Sequence, residues 1–243
     1  TWIYLTQLTQ AEGLRQAVER HRCSQGRTSG SLYWQLDDVW PTVSWSTVDH
    51  AGRWKLAHHA VRHANQPVRV LPDRTQGDRI AFVIANDSPL TTEGVLEWSL
   101  IDLAGDTATA GRFGVTVEAH TTASWSASDA EVVSDRHILS WQWIGRDRAA
   151  TVHDAGHHTF RPVGDLKWEA ATLQVETMEH VVRLSTDVPA AGVWLCSASE
   201  GRFEDNGFFL VPGRPRTVGF LDPSGQLADP GDLRVVHFGQ GQT

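Results

Sequence analysis

A pair of neighbouring aspartates, Asp37 and Asp38, lies between two tryptophans and is the first group in this sequence that could do chemistry. Two carboxylates can act as acid and base, or as acid and nucleophile, when both face one reacting carbon. Neighbouring residues of an extended chain, however, point in roughly opposite directions. We therefore do not expect Asp37 and Asp38 to form a catalytic couple with each other.

Histidines are the other candidates, because their spacing could hold a metal. His59 and His63 are four residues apart on a predicted helix, a spacing that can bind zinc. The glutamate of a zinc peptidase motif is absent, and the sequence offers no third ligand. We interpret both as solvent-facing helix residues and expect no metal site. A second group, His153, His157 and His158, falls in a polar segment and is likewise interpreted as solvated.

The composition argues against several classes of partner. With 243 residues and a formal charge of −8, the chain is not expected to bind nucleic acid or an anionic membrane. Cys23 and Cys196 are far apart in the sequence, which indicates two buried thiols and no disulfide framework or zinc motif. The 11 tryptophans suit carbohydrate binding, but tryptophan also fills β-sandwich cores, and core packing is the favoured interpretation for the β-rich part.

The first 65 residues predict a helix, a buried strand and a second helix. The first helix is indicated by apolar residues at three- and four-residue steps, at Tyr4, Leu8, Ala11, Leu14 and Val18. After a loop at Ser24–Thr28, the nearly continuous apolar run Gly30–Leu36 suits a strand buried on both faces. The second helix, which ends before Pro67, has an apolar stripe formed by Trp54, Ala57, Val61 and Ala64.

A strand buried on both faces needs partners for its N–H and C=O groups, and the rest of the sequence offers no parallel strand. We therefore predict that residues 1–65 are the C-terminal end of a (β/α)8 barrel whose other strands precede residue 1.

From Gln66 onward the apolar period is two, which predicts antiparallel sandwiches. Residues 66–160 and 161–243 each have the length of one immunoglobulin-like domain, and the stretch from His153 to Pro162 is interpreted as the junction between them. The predicted strands lie at 79–84, 95–100, 113–117, 138–143, 172–175, 181–184, 193–196, 208–211, 217–220 and 233–236. The predicted fold class is mainly β, with two immunoglobulin-like β-sandwiches after the last helix–strand–helix of a (β/α)8 barrel.

Three blocks of this sequence resemble one enzyme family. The block Gly30–Pro41, which reads GSLYWQLDDVWP, is similar to the eighth barrel strand and following loop of the β-mannosidases of glycoside hydrolase family 2. The similarity continues through Ser44–Asp49 and Gly52–Lys55, and Gly201–Gly213 resembles the signature of the family's C-terminal sandwich. Asp37 stands where the family usually has asparagine, and Gly207 interrupts an Asn-Phe-Phe run.

The resemblance implies a retaining glycosidase that hydrolyses terminal β-D-mannose residues, with no metal or organic cofactor. Its two catalytic glutamates would lie on barrel strands upstream of residue 1, so this chain alone is expected to be inactive. The implied partners are a β-mannoside or manno-oligosaccharide substrate and the upstream barrel and N-terminal domains of the same protein. In this chain, Trp34, Asp37 and Asp38 are the expected substrate-binding residues, and Asp38 could equally be a carboxylate that caps its own loop.

Two other interpretations remain open. A non-catalytic carbohydrate-binding or scaffolding protein would use the tryptophan-rich sandwiches, but it would have no need of the Gly30–Pro41 block. A fragment of an exo-β-glucosaminidase is harder to separate, because related two-sandwich ends occur there. The Tyr-Trp-Gln-Leu sequence within the block argues against a β-galactosidase or a β-glucuronidase.

Hydrogen exchange tests the missing-strand interpretation. Residues 1–65 should be poorly protected in the isolated chain, because open strand edges expose their amides to water. Exchange measured peptide by peptide would check this. Slow exchange throughout Leu32–Leu36 in a monomer would contradict the interpretation.

Overall fold

The computed structural model describes residues 2–24, 26–73, 79–127, 132, 134–146 and 152–239. Gln25, in the predicted Ser24–Thr28 loop, lies outside the described residues. The chain divides into two compact units. The first unit comprises Thr1–Ala17, Leu32–His63 and Trp168–Thr243, and the second unit comprises Val18–Ser31 and Ala64–Lys167.

Both predicted helices are present. α1 (Trp2–Cys23) buries Tyr4, Ala11 and Val18 of the predicted stripe, and basic residues in its last turn suit the negative end of the helix dipole. α2 (Leu56–Ala64) ends before Pro67, as its sequence predicts. No described helix has the length and apolarity that crossing a membrane requires.

The second unit is a β-sandwich. Its strands are β1 (Val68–Pro72), β2 (Ile80–Asn86), β3 (Thr92–Asp102), β4 (Thr107–Val117), β5 (Thr121–Ala127), β6 (His137–Gly145) and β7 (Val152–Thr159). One sheet has the order β1-β2-β5 and the other β4-β3-β6-β7, and every pairing within them is antiparallel.

Three tryptophans fill the core of this sandwich. Trp98, Trp141 and Trp143 are buried, and Phe82 meets Trp141 edge to face with ring centroids 5.5 Å apart. Glycine makes room for one of the indoles, since a Cβ at Gly94 would lie 2.0 Å from Trp143 Nε1. The interpretation of these tryptophans as core residues is thus confirmed by their burial.

Strand β7 was not expected, and its residues correct two sequence interpretations. The segment interpreted as a junction from His153 is instead the edge strand of the larger sheet. His158 is buried there, so the description of all three histidines as solvated is wrong. The buried carboxylate of Asp154 accepts hydrogen bonds from the Arg69 side chain and, at 2.7 Å, from the Val70 amide. The ion pair accounts for the polar residue Asp154 at a buried position of β7.

The C-terminal sandwich belongs to the first unit. Its strands are β8 (Leu173–Met178), β9 (Val181–Thr186), β10 (Ala190–Ser197), β11 (Arg202–Phe203), β12 (Phe208–Leu210), β13 (Arg216–Leu221) and β14 (Leu233–Phe238). One sheet has the order β11-β13-β9-β8 and the other β12-β10-β14. Its core is formed by Val182, Leu184, Ala190, Val193, Leu195, Phe203, Phe208, Leu210, Val218 and Phe220.

The helices of the first unit share a second apolar cluster with this sandwich. Tyr4 donates a hydrogen bond to the carbonyl of Gly192 at 2.7 Å and stacks on Trp194 with ring centroids 5.7 Å apart. Leu56 and Ala57 of α2 are buried in the same cluster. Gly192 has φ +58°, and a Cβ there would lie 2.8 Å from Tyr4 Oη, so the contact itself requires glycine.

The predicted buried strand at Gly30–Leu36 is not formed in this structure. The segment runs without regular strand pairing, and Leu32, Trp34 and Leu36 are exposed. These side chains are apolar, as a buried strand requires. Burial on two faces also requires neighbouring strands, which the described residues do not supply. Fast hydrogen exchange is therefore expected for this segment and not for the helices, because α1 and α2 bury residues in a shared core.

Cys23 and Cys196 were expected to be buried, but both are partly exposed. Partial burial still raises the pKa of Cys196, since an apolar surrounding disfavours the thiolate.

Two glycine substitutions test the packing. Gly94→Ala should lower the free energy of unfolding by about 3 kcal/mol, because the new methyl overlaps the buried Trp143 indole. Gly13→Ala is the matched control. Nothing lies within 4 Å of a Cβ there, and Gly13 lies inside α1, so it should raise stability by about 0.5–1 kcal/mol. Urea unfolding would measure both, and equal effects would contradict the packing described.

Candidate functional site

The candidate site is the segment Trp34–Asp38, which we call the site segment. Trp34 is 74% exposed, Asp37 is also exposed, and Asp38 is 6% exposed. The peptide bond between Trp34 and Gln35 is cis. The segment therefore presents one indole and one carboxylate to solvent and turns the other carboxylate inward.

Hydrogen bonds from the residues at Thr47 and Val48 hold the backbone of this segment. The Thr47 amide donates to the carbonyls of Gln35 and Leu36 at 3.1 and 3.0 Å, and the Val48 amide donates to Leu36 at 2.8 Å. The Asp38 amide donates in return to the Val48 carbonyl at 3.2 Å. These bonds form an isolated parallel bridge, which fixes the chain directly after Trp34.

The Asp38 carboxylate binds side chains of the loop that connects the two bridged residues, Asp37 and Val48. Ser44 Oγ donates to Oδ1 at 2.5 Å, and Ser46 Oγ donates to Oδ2 at 2.6 Å. Lys55 Nζ lies 3.2 Å from Oδ2 and 2.6 Å from Ser46 Oγ. A buried charge needs a partner of opposite sign and filled hydrogen bonds, and Asp38 has both.

This environment keeps Asp38 ionised. Hydrogen bonds from Ser44 and Ser46, with Lys55 nearby, lower the pKa of the Asp38 carboxyl to about 2 against the effect of burial. A group of this kind carries no proton near neutral pH and cannot serve as a general acid there. The geometry supports the loop-capping alternative for Asp38, since both of its oxygens are engaged within the loop.

The two aspartates do not work together. Asp37 is exposed while Asp38 points inward to the serines, as expected for neighbouring residues of an extended chain. The pair cannot flank one sugar carbon in the manner of a glycosidase couple.

Two further tryptophans of the loop, Trp40 and Trp45, are 65% and 61% exposed. Val39 and Val43 of the same loop are exposed as well. A run of exposed apolar side chains on this scale is typical of a surface that contacts another body.

The histidines of α2 are structural, and their interpretation as solvent-facing residues is wrong. His59 is 2% exposed, and Nε2 of His63 lies 2.6 Å from Oδ1 of the buried Asp205. Burial lowers the pKa of His59 to about 3, despite the opposing charge of Asp205. Among the described residues, no group of three or more histidine, cysteine, aspartate or glutamate side chains could hold a metal ion.

Ser44, Ser46 and Lys55 are residues of the candidate site that sequence reasoning missed. They fall in the blocks Ser44–Asp49 and Gly52–Lys55 that carry the family resemblance, but a sequence does not show that they converge on one carboxylate. The available signal was that two serines and a lysine follow Asp38 within the two blocks, and that signal is weak without a structure.

Comparison with known proteins finds β-mannosidases among the relatives of this chain. Residues 167–239 match a mannosidase family model described as an Ig-fold domain. Beta-mannosidase A of Aspergillus fumigatus is 30% identical over 261 residues, which covers 97% of this chain and 28% of the relative. The chain is thus similar to β-mannosidases along nearly its whole length. Beta-mannosidase A of Neosartorya fischeri is 29% identical, again over 97% of this chain and 28% of the relative, so the chain spans little more than a quarter of such a β-mannosidase.

Solved structures show the same fold. The crystal structure of β-D-mannosidase from Dictyoglomus thermophilum matches 97% of this chain and 29% of its own, with a TM-score of 0.81 at 22% identity. The exo-chitosanase of Amycolatopsis orientalis matches 95% of this chain and 33% of its own, with a TM-score of 0.65 at 17% identity. The predicted fold class, mainly β with immunoglobulin-like sandwiches, is confirmed by these matches and by the family model.

The buried histidine predicts a pH dependence of stability. In the unfolded chain His59 has a pKa near ~6.5, so below that pH the unfolded chain binds a proton that the folded chain does not. The free energy of unfolding should therefore fall as the pH drops below ~6.5, with a loss from His59 of about 2 kcal/mol at pH 5.

Urea unfolding at pH 7 and pH 5 would measure this loss. The His59→Gln variant should show a smaller difference between the two pH values than the unsubstituted chain. His50→Gln, at an exposed turn, is the control and should keep the full difference. The same difference in all three proteins would show that His59 does not stay neutral on folding.

Proposed function

We propose that this chain is the C-terminal part of a retaining exo-β-mannosidase that removes terminal β-D-mannose residues. Residues 1–65 would complete its (β/α)8 barrel, and residues 66–160 and 161–243 would be two immunoglobulin-like domains. The observation that carries the proposal is the exposed indole of Trp34 at the start of the site segment, whose other end is held by the buried Asp38 carboxylate and its partners. The relationship to β-mannosidases along 97% of the chain supports it.

The proposed role of Trp34 is to present its apolar face to the mannose ring. The C-terminal ends of barrel strands are where barrel enzymes build their sites, and Trp34 would stand at such an end in the family resemblance. Asp37, which is exposed beside it, could accept hydrogen bonds from sugar hydroxyls. Asp38 would contribute indirectly, because its oxygens bind Ser44, Ser46 and Lys55 and so keep the loop in place.

The reaction itself would need two carboxylates from outside this sequence. In a retaining glycosidase one glutamate attacks the anomeric carbon while the other protonates the departing oxygen, so that the glycosidic bond breaks. Water, deprotonated by the second glutamate, then attacks the glycosyl-enzyme and releases the sugar with retained configuration. The two carboxyl groups would stand roughly 5–5.5 Å apart.

A second candidate, a non-catalytic carbohydrate-binding sandwich, is weaker. Trp98, Trp141 and Trp143 of the second unit are buried and cannot stack on a sugar. An exo-β-glucosaminidase origin is also weaker, because the likeness to the exo-chitosanase is one of fold at 17% identity. Neither candidate explains the Trp34–Asp38 arrangement better than a β-mannosidase does.

Hydrolysis of a chromogenic aryl β-mannoside tests the proposal. This chain should be inactive, whereas the chain extended upstream by a complete barrel should hydrolyse the substrate. Activity in the short chain would mean that its own carboxylates, such as Asp37 or Asp38, carry chemistry. Inactivity of both proteins on mannosides, with activity of the extended one on aryl β-glucosaminides, would favour the glucosaminidase instead.

Within the active extended protein, Trp34→Ala should lower kcat/KM for the aryl β-mannoside about 10- to 100-fold, since a pocket contact of this size contributes to substrate and transition-state binding. Trp45→Ala is the matched control, because Trp45 is an exposed tryptophan that follows the Asp37-Asp38 pair in the sequence and is outside the site segment. Its kcat/KM should stay within about threefold of the unsubstituted enzyme. Equal losses in both variants would argue against a specific role of Trp34.

A further inference from the structure

The motif Gly201–Gly213 of the C-terminal sandwich has a family resemblance but no role in the proposed chemistry. Its loop Glu204–Gly207, which we call the sandwich loop, lies against α2 in the first unit. The Glu204 carbonyl accepts a hydrogen bond from Arg62 at 2.6 Å, and His63 Nε2 lies 2.6 Å from Asp205 Oδ1. The side of Gly207 on which a Cβ would sit faces Leu56 at 3.3 Å. Both ends of α2 are thus contacted by the same four residues.

Asp205 is the charged centre of this contact. Its carboxylate is buried, and its second oxygen binds Arg216 of β13. Burial alone would raise the pKa of Asp205, but Arg216 and His63 hold that pKa well below its usual range. A buried carboxylate with two partners from different elements fixes those elements relative to each other, because losing either partner leaves the charge unsatisfied.

The sandwich loop is itself firmly attached to β10. The Asn206 side chain donates to the Leu195 carbonyl and accepts from the Leu195 amide, both at 2.8 Å, as a neighbouring strand would. The Gly207 amide donates to the Val193 carbonyl at 2.9 Å. The loop is therefore part of the sheet and not a mobile connection.

Lys55, which directly precedes the first residue of α2, connects this helix to the loop that holds the site segment. The Lys55 amide donates a hydrogen bond to the Thr47 carbonyl at 2.9 Å. Its side chain binds Ser46 Oγ and Asp38. Lys55 thus holds the residues whose amides bond to the backbone just after Trp34. The position of α2 sets where Lys55 can reach.

Trp54 adds a second connection along the same line. Its backbone forms an antiparallel bridge with Val48, and its ring lies under the Arg202 guanidinium at 5.0 Å. Arg62 of α2 approaches the same ring at 6.0 Å. Contacts of a cation with an indole face are attractive, so the sandwich touches the loop both through α2 and through Trp54.

We propose that the C-terminal sandwich positions the candidate sugar site: Asp205 and Lys55 are positioning residues that hold α2 and, through it, the backbone next to Trp34. This extends the proposed function by giving the sandwich a role in the same site. The sandwich would stabilise the position of the loop between the site segment and α2, and it would bind no sugar itself.

Hydrogen exchange in the full chain tests this positioning role of the sandwich and does not depend on enzyme activity. Asp205→Asn should make the amides of Thr47 and Val48 exchange about tenfold faster, because weakening a charge-assisted hydrogen bond at one end of α2 should loosen the other end. Asp222→Asn is the matched control, since Asp222 lies in the same sandwich in an exposed turn with Ser224 and Gln226. It should leave both amides unchanged.

Lys55→Met is the second variant, in case Asp205→Asn does not fold. It keeps the apolar stem of Lys55 and removes the bonds to Ser46 and Asp38, so it should produce the same faster exchange, and Lys55→Arg should restore protection. Unchanged exchange of Thr47 and Val48 in both Asp205→Asn and Lys55→Met would overturn the proposal. An effect of Lys55→Met alone, with folded Asp205→Asn unaffected, would overturn the role of the sandwich.

In the extended enzyme, the same substitutions separate positioning from general stability. Asp205→Asn and Lys55→Met should raise KM for the aryl β-mannoside about tenfold with a smaller change in kcat, at temperatures well below unfolding, and Lys55→Arg should recover the KM. A loss that tracks only the fraction of unfolded protein would overturn the positioning role. Absence of mannoside hydrolysis in the unsubstituted extended enzyme would instead refute the proposed function and leave the exchange result standing.

Discussion

The ion pair between Asp38 and Lys55 is the interaction on which the candidate site depends. Charges are removed from water at a cost, and this pair is tolerated because Ser44 and Ser46 fill the remaining hydrogen-bonding positions of the carboxylate. Removing any member would leave a buried polar group unsatisfied. The bonds of this carboxylate therefore hold the loop between the site segment and α2, and Trp34 is the first residue of that segment.

The two sandwiches contribute to the protein in different ways. The second unit uses its tryptophans as core residues and joins its sheets with the buried Arg69–Asp154 pair. The C-terminal sandwich shares an apolar cluster with both helices of the first unit through Tyr4, Leu56 and Trp194. An independent binding module would keep such side chains inside its own core. The shared cluster, with the Asp205 contact, is what connects this sandwich to the candidate site.

Much of the fold follows from local pattern. Helix α1, helix α2 and strands such as β3 and β6 were predicted because their apolar periods of about 3.6 and two residues are properties of short stretches. Strand β7 was missed for the same reason. Its inward positions carry His158 and Asp154, and a buried polar strand looks like a loop until its partner Arg69 is known.

For the candidate site, the sequence by itself determined the family motif, the opposite directions of Asp37 and Asp38, and the place of Trp34 beside them, because these depend on neighbouring residues along the chain. Only the tertiary structure decided that Asp38 faces inward, that His59 of α2 is buried while His63 contacts Asp205, and that the 204–207 loop reaches α2. Burial and charge pairing depend on groups that are distant in sequence: Lys55 is 17 residues from Asp38, and Asp205 is 142 residues from His63. No local pattern carries that information, since desolvation is a property of the folded surroundings.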